Sequence, residues 1–544
     1  MSSRTANGRA IDKLIDRADT LAGAWGARAR ASTTLGQERA VLRLYGVTGL
    51  DRAGRPLAGA AVDRWLASSR DGLSGGIALP FAMALVEYDL DPQQLALDVA
   101  SGAIDLALEA DLLRERDRRE LAVAEATRLV GAAVDRVDSD RVARRELLDL
   151  LGEAHRPWIG TTLSEPDVDE ALDEAAELAA AGYDLLRVEV PIGRELAARM
   201  EAAGVEVPQW RPGKRGSARG GAAVADLDDT DPAPSGSQRA LARLRRTADG
   251  VAAQRRGYVR LGTAIPPLGV PEGAVVAAFE RVDMVEADPV AEIVVGGVDP
   301  DRSLADHAFA RRLHRRSDTY VSIGPGPLVV APDLASGVPS DPATRSGRAL
   351  ALQLLGVALA RADGLSAERL VVGAYPDWLA EEPSATARVL AEVTLRRALF
   401  EGHIIRFDEP TGGRGGRTSV AWPFVVAAAL QRVGRSALVM RRADAGGTAA
   451  VEEARAAGRT AADIADVSEP GALHGVADDH ATAMLTAAAA TLDRLSDLGW
   501  RAVVGDPPRG PGRGAEARSY RAIGGDAVAE RTESFDPLAV FDPD

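Results

Sequence analysis

A short charged segment near residue 405 has the residue types needed to bind a small polar molecule. Within residues 403–410, Arg406, Asp408 and Glu409 lie close together along the chain. If this segment is a strand, alternation places Arg406 and Asp408 on one face and Phe407 on the other. An arginine–aspartate pair held in this way could bind a carboxylate or an ammonium group. The same pair could equally be a salt bridge that stabilises the fold, and both interpretations stay open.

A second charged pair, Arg187 and Glu189, occupies the predicted strand 185–190. A guanidinium group suits phosphate because it donates two parallel hydrogen bonds to neighbouring oxygens. The alternative is an ion pair between Arg187 and Glu189 or another nearby carboxylate. Both interpretations place Arg187 at the end of a strand.

Other candidates also lie where predicted strands end. Glu286 and Asp288 could hold an amine or share a proton. Weaker candidates are the hydroxyl groups of Thr263, Ser322 and Tyr375. We therefore expect a substrate site built from several strands, with the candidates Glu189, Glu286, Asp288, Ser322, Tyr375, Arg406, Asp408 and Glu409.

Composition excludes several classes of function. The chain has no cysteine, so it has neither disulfides nor thiolate metal ligands, which fits a cytoplasmic protein. A net charge of −15 argues against nucleic-acid binding. The six histidines form no HExxH or similar pair, so we predict no protein-bound metal. The sequence contains no run of 18 apolar residues, so we predict no membrane span. The N-terminal stretch lacks the apolar core of a signal peptide.

The pattern of apolar residues changes at about residue 157. Residues 1–150 show helical spacing, and after residue 157 short β-branched runs alternate with alanine-rich helices. Such alternation predicts parallel strands joined by helical crossovers, and a count near eight favours an α/β barrel. The predicted strands are 158–163, 185–190, 258–263, 282–286, 292–295, 320–323, 370–374 and 403–407.

These patterns divide the chain into three regions. We predict an N-terminal helical region at 1–150, a TIM (β/α)8 barrel at 151–445 and C-terminal helices with a tail at 446–544. Residues 211–237 are rich in Gly, Pro, Ser and mixed charge, so we predict a flexible insertion within the barrel.

Several blocks of this sequence resemble the large (alpha) subunit of D-lysine 5,6-aminomutase. They are TTLGQERAVLRLYG at 33–46, the glycine turn at 72–76 and DPQQLALDVASGAIDL at 91–106. The resemblance implies a TIM barrel with added helices. It also implies adenosylcobalamin, bound mainly by a small cobalamin-binding beta subunit, and pyridoxal phosphate. The family's cobalamin motif and its imine-forming lysine lie on that small subunit.

The resemblance also assigns cofactor-binding residues. The stretch AAAGYDLLRVEV is similar to the family segment whose arginine helps to hold the phosphate of pyridoxal phosphate, which implies this role for Arg187. In the next block Thr263 keeps a hydroxyl group, but the family's aromatic residue is absent. Pro266 and Pro267 have no N–H to donate to a phosphate. These departures leave pyridoxal phosphate binding open.

The predicted function is therefore that of a large subunit in a radical aminomutase. Such an enzyme would perform a 1,2-amino migration on a basic amino acid such as lysine. One alternative is a cobalamin-dependent mutase or eliminase subunit that has lost pyridoxal phosphate. Another is a subunit without catalytic activity that acts as a scaffold.

Overall fold

The computed structural model describes ten stretches of the chain, and every structural statement below concerns these. They are residues 2–153, 156–163, 168–189, 235–294, 297–324, 341–374, 385–408, 437–441, 474–504 and 528–542. Most of the segments that follow barrel strands lie outside them. So do the candidates Tyr375 and Glu409 and most of the predicted insertion, 211–234.

Helices fill the N-terminal part of the chain. Over residues 2–153 these are α1 Ser2–Arg30, α2 Leu35–Leu44, α3 Leu57–Ser68, α4 Ala78–Tyr88, α5 Pro92–Ser101, α6 Leu106–Leu112 and α7 Arg116–Leu151. Local sequence explains where several of them begin. Thr34 accepts the backbone N–H of Gln37 at the start of α2. Asp91 caps α5, whose first residue is Pro92, where a missing N–H costs nothing.

Eight parallel strands close into a barrel, which confirms the predicted TIM-barrel fold. In chain order they are β2 Trp158–Thr162, β3 Leu185–Glu189, β4 Arg260–Ala264, β5 Met284–Glu286, β6 Tyr320–Ile323, β7 Leu370–Gly373, β8 Ile404–Asp408 and β9 Ala437–Arg441. Each strand pairs with its sequence neighbour, and β9 pairs with β2 to close the ring. The carboxyl ends of all eight strands therefore meet at one end of the barrel, here called the mouth.

Helices connect and surround the strands. They are α8 Val168–Ala181, α9 Ser235–Arg255, α10 Val270–Phe279, α11 Pro289–Val294, α12 Pro300–Arg316, α13 Pro342–Ala362, α14 Ala385–Leu399, α15 His474–Leu498 and α16 Arg501–Val504. Their apolar faces and the outward residues of the strands share one core with the N-terminal helices. None of the helices described is long and apolar enough to cross a bilayer.

The barrel interior is packed with the protein's own side chains below the mouth. A separate apolar cluster there contains Trp158, Leu185, Met284, Val371, Ile404, Leu438 and Met440. A Cβ added to Gly160 would lie 2.5 Å from the sulfur of Met440, so this position has no room for a side chain. Inward and outward residues alternate along each strand. A polar residue in line with this cluster therefore faces the interior.

One predicted strand is a helix, and one observed strand was not predicted. Residues 292–295 were predicted to be a strand because Ile293 and Val294 are β-branched. Residues 292–294 instead lie at the end of α11, which begins at Pro289, and residue 295 lies outside the described residues. Glu292 is buried in this helix and accepts a hydrogen bond from Ser303, and its other carboxylate oxygen lies 3.1 Å from His307 Nε2. The eighth barrel strand is β9, which the sequence analysis did not identify.

The C-terminal part of the chain contacts both the barrel helices and the N-terminal region. Helix α15 packs against α13 and α14. A short strand near the C-terminus, β10 Val528–Glu530, pairs antiparallel with β1 Ser32–Thr34. Residues 235–237, the end of the predicted insertion, belong to α9, and the rest of the predicted insertion lies outside the described residues.

Candidate functional site at the barrel mouth

Three strands contribute charged side chains that meet at the mouth. Arg187 on β3 donates from Nη2 to Glu286 Oε2 on β5 at 2.8 Å. Arg406 on β8 donates from Nη1 to the other carboxylate oxygen of Glu286. The Nε of Arg406 lies 2.9 Å from both oxygens of Asp408. We call Arg187, Glu286, Arg406 and Asp408 the mouth network.

Two hydroxyl groups extend the mouth network. Arg187 donates from Nη1 to Thr162 Oγ1 at 3.1 Å, and Arg406 donates from Nη1 to Ser322 Oγ at 2.9 Å. Thr162 and Ser322 lie near the carboxyl ends of β2 and β6. The site thus draws side chains from five strands, as is typical of TIM-barrel enzymes.

The network balances two guanidinium groups with two carboxylates. Burial alone would raise the pKa of Glu286, but the guanidinium groups of Arg187 and Arg406 hold it below its usual range. Burial acts to lower the pKa of Arg406, and Asp408 and Glu286 reverse this and raise it. Glu286 and Arg406 are therefore charged near neutral pH, and the network formally pairs two cations with two anions. Asp408 keeps the most solvent contact, with 34% of its side chain exposed.

Asp288 has a different role from the one expected. Its Oδ1 accepts the backbone N–H groups of Val290 and Ala291 at the start of α11. Its Oδ2 accepts the N–H of Gly324 just beyond β6. Burial raises the pKa of Asp288, and these three N–H groups act in the opposite direction. Its carboxylate therefore joins the ends of two strands and is occupied by the backbone.

Thr263 lies apart from the mouth network. On β4 it is paired with Val285 of the outer core, whereas its neighbour Gly262 is paired with Met284 of the barrel interior. Register partners point to the same side of a parallel sheet, so Thr263 faces the surrounding helices. It is 2% exposed, and the backbone of Ala264 is its hydrogen-bond partner. For Glu189 the structure describes the backbone position at the end of β3.

A buried polar chain supports the mouth from behind. Gln353 of α13 donates to the carbonyl oxygens of Gly324 and Gly373. Gly324 directly follows β6, and Gly373 is the last residue of β7. The Oε1 of Gln353 accepts Arg396 Nε at 3.0 Å, and Arg396 donates to Glu392 at 2.6 Å. The sequence analysis missed these residues. The sequence feature that could have identified Gln353 is its position as one glutamine in the otherwise apolar run ALALQLLGVAL.

The described residues do not fit the phosphate of pyridoxal phosphate. The two terminal nitrogens of Arg187 already bond to Glu286 and Thr162. Thr263 faces away from the mouth, and Pro266 has no N–H to donate. No group of three potential metal ligands occurs in the described stretches either.

The fold and site define a TIM-barrel protein with a polar, charge-balanced mouth and large helical additions. Residues 6–197 and 235–420 match the family model described as the D-lysine 5,6-aminomutase TIM-barrel domain of the alpha subunit. The match covers more than half of the chain, so this chain belongs to that family.

Two curated relatives are lysine 5,6-aminomutase alpha subunits. That of Fusobacterium nucleatum is 23% identical over 382 residues, which are 70% of this chain and 67% of the relative. That of Acetoanaerobium sticklandii is 23% identical over 380 residues, which are 70% of this chain and 66% of the relative. The chain thus spans about two thirds of the length of both relatives and is a divergent member of the family.

Solved structures show more distant likenesses. A rubisco-like protein from Burkholderia fungorum is 14% identical, with a TM-score of 0.35 over 63% of this chain and 68% of that one. A dihydropteroate synthase from Burkholderia cenocepacia is 16% identical, with a TM-score of 0.32 over 57% of this chain and 94% of that one. Scores at this level carry no argument about function.

Proposed function

We propose that this chain is the barrel subunit of an adenosylcobalamin-dependent aminomutase and binds an amino-acid substrate at the mouth network. Membership of the aminomutase family supports the reaction class. The observation that carries the substrate site is the pairing of two guanidinium groups with two carboxylates at the carboxyl ends of three strands.

The charge pattern suits a zwitterion such as a basic amino acid. A substrate carboxylate would bind to Arg406, because a guanidinium group can donate to two carboxylate oxygens at once. A substrate ammonium group would bind to Asp408, which is the most exposed acid of the network. Binding exchanges ion pairs within the network for ion pairs to the substrate, so no charge is left buried alone.

A small cobalamin-binding partner would cover the mouth. Adenosylcobalamin supplies a carbon radical that can abstract a substrate hydrogen, and the protein supplies orientation and a dry site. Arg187, Glu286 and Arg406 are 13%, 18% and 12% exposed, so they can reach a substrate held between the two proteins. Packed side chains below them would exclude water from the other side.

A second candidate function is a cobalamin-dependent rearrangement or elimination without pyridoxal phosphate. The engagement of Arg187 by Glu286 and Thr162 favours it, because no free guanidinium fork remains there for a cofactor phosphate. Titration with pyridoxal phosphate separates the two candidates. A new absorbance band from imine formation in the complete complex supports amino migration, and its absence supports the second candidate.

The test of the shared proposal uses the complete complex with adenosylcobalamin. Candidate amino acids are added, and rearranged or eliminated products are measured by mass spectrometry together with the electron paramagnetic resonance signal of a radical. Arg406→Gln should abolish turnover, whereas Arg116→Gln, a change of the same type at an exposed helix position, should leave it intact. A complex that turns over equally well with Arg406→Gln would contradict the proposal.

A further inference from the structure

A polar cavity lies outside the barrel, among α1, α12, the end of α13 and the C-terminal segment. Its volume is about 490 Å³, which is in the usual range for small-molecule sites. Helices α12 and α13 start near the mouth and run back to the amino ends of β6 and β7. The cavity contacts the last turn of α12, at Arg312 and Arg315, and Asp363, which directly follows α13. None of the residues of the mouth network lines it.

The C-terminal segment forms one wall of this cavity. Strand β10 pairs with β1, and the residues after it bring Arg531, Asp536 and Asp542 to the cavity. Ala305, Ala308 and Phe309 of α12 form an apolar wall beside these charges. The cavity thus combines a cationic side with an apolar side, as an organic anion requires.

Cationic groups outnumber acidic groups around the cavity. Its lining contains four arginines, Arg30, Arg312, Arg315 and Arg531, and three aspartates, Asp363, Asp536 and Asp542. Asp363 is shared, because it accepts Arg30 on one oxygen and the buried Arg311 on the other, both at 2.8 Å.

Several buried donors in this cluster have no acceptor among the described residues. Arg531 donates from Nη2 to Gln37 Oε1 at 3.1 Å, and its buried Nε has no partner in those stretches. The same holds for the Nε of Arg315 and for the Nε and Nη2 of Arg311. Buried donors of this kind are costly unless an acceptor is supplied.

The tail already places two carboxylates on these arginines, and one of them is Asp536, which accepts Arg312 Nη1 at 2.7 Å. Asp542 accepts Arg312 Nη2 at 2.6 Å and also pairs with Arg315. Its side chain is 45% exposed, so an incoming anion can displace it without breaking the fold. Two neighbouring guanidinium groups at the end of α12 present the donor pattern that phosphate and carboxylate oxygens accept.

We propose that this cavity is a second binding site, distinct from the mouth, for a compact organic anion with phosphate or carboxylate oxygens. The anion bonds to Arg312, Arg315 and Arg531 and packs its organic part against Phe309. Because the lining comes from α1, α12 and the C-terminal segment, the bound anion holds these three parts together.

Titration of the full chain tests this site with inorganic phosphate, pyrophosphate and citrate, against potassium chloride at matched ionic strength. At least one of the three anions should bind saturably and raise the melting temperature, because a ligand that binds only the folded state stabilises it. Citrate alone would assign carboxylate chemistry, and phosphate or pyrophosphate alone would assign phosphate chemistry. An equal rise with potassium chloride would overturn the proposal.

Variants locate the binding. Arg531→Gln should weaken binding about tenfold, the effect of losing one charge-assisted hydrogen bond. Asp542→Asn, at an exposed position, removes a carboxylate that competes with the anion for Arg312 and Arg315, so it should tighten binding. Arg52→Gln at an exposed position and Arg406→Gln at the mouth should leave the affinity unchanged. Unchanged affinity in both Arg531→Gln and Asp542→Asn, or a loss with Arg406→Gln, would overturn the proposal, and the latter would assign the anion to the mouth.

Discussion

Arg406 on β8 and Glu286 on β5 form an ion pair across the barrel interior, joining strands that are not neighbours in the sheet. The same carboxylate also accepts Arg187 from β3. One glutamate therefore fixes two guanidinium groups from opposite sides.

Glu286→Gln should destabilise the protein and abolish the proposed activity. The amide keeps the shape of the side chain but removes the charge that holds Arg187 and Arg406. We expect a loss of about 2 kcal/mol in the free energy of unfolding, because two guanidinium groups lose their shared partner. Urea unfolding measures it. Glu120→Gln, at an exposed helix pair, should change stability by less than about 0.5 kcal/mol. Equal effects of the two variants would contradict this role.

The pH dependence of stability should reveal the same carboxylate. The folded-state pKa of Glu286 lies below its usual value because of Arg187 and Arg406, despite the opposing effect of burial. Its contribution to stability is therefore present above the unfolded pKa of about 4 and is lost as pH falls through the folded pKa. Unfolding curves measured across this acid range should converge for wild type and Glu286→Gln at the lowest pH. A constant difference between them would contradict the assignment.

Removing the charge of one member of the buried Glu392–Arg396 pair should strongly lower the free energy of unfolding. Glu392 and Arg396 are almost fully buried, and Arg396 also holds Gln353. Glu392→Gln should lower the free energy of unfolding by about 3 kcal/mol, because Arg396 loses its charged partner. Because Gln353 binds backbone oxygens near β6 and β7, turnover should also fall. Thr394→Ala, at an exposed position of the same helix, provides the control for stability and turnover.

Two glycine-to-alanine substitutions should have opposite effects on stability, one at a tight helix contact and one at an open helix position. A Cβ at Gly347 of α13 would lie 2.5 Å from the backbone oxygen of Met484 on α15. Gly347→Ala should therefore destabilise the protein by about 1–3 kcal/mol through overpacking. Gly250 of α9 has no atom within 4 Å of such a Cβ. Gly250→Ala should stabilise it by roughly 0.5 kcal/mol through helix propensity. Thermal unfolding of both variants gives the sign of each effect.

Local patterns were sufficient to predict the barrel and part of its mouth. The predicted limits of β6 match the structure, and Arg406 and Asp408 share a face, opposite Phe407, as alternation predicts. The carboxyl ends of parallel strands meet by topology, so side chains at those ends were expected to lie close together. Arg187, Glu286 and Arg406 do come together there.

Other features depend on contacts that no local pattern contains. Thr263 was predicted from its place near the end of a strand, but the parity of β4 turns it to the outer helices. The run containing Ile293 and Val294 is β-branched, yet Asp288 caps it as a helix. The role of Gln353 depends on two carbonyl groups from different strands.

The most direct test of the proposed function is the corrinoid content of the complex that carries this chain. The full chain is purified by affinity from its native cells, grown with cobalamin, and bound corrinoid is measured by absorbance while mass spectrometry identifies co-purifying proteins. The proposal predicts a smaller partner protein and corrinoid in stoichiometric amount. Recovery of the chain without any corrinoid-carrying partner would contradict it.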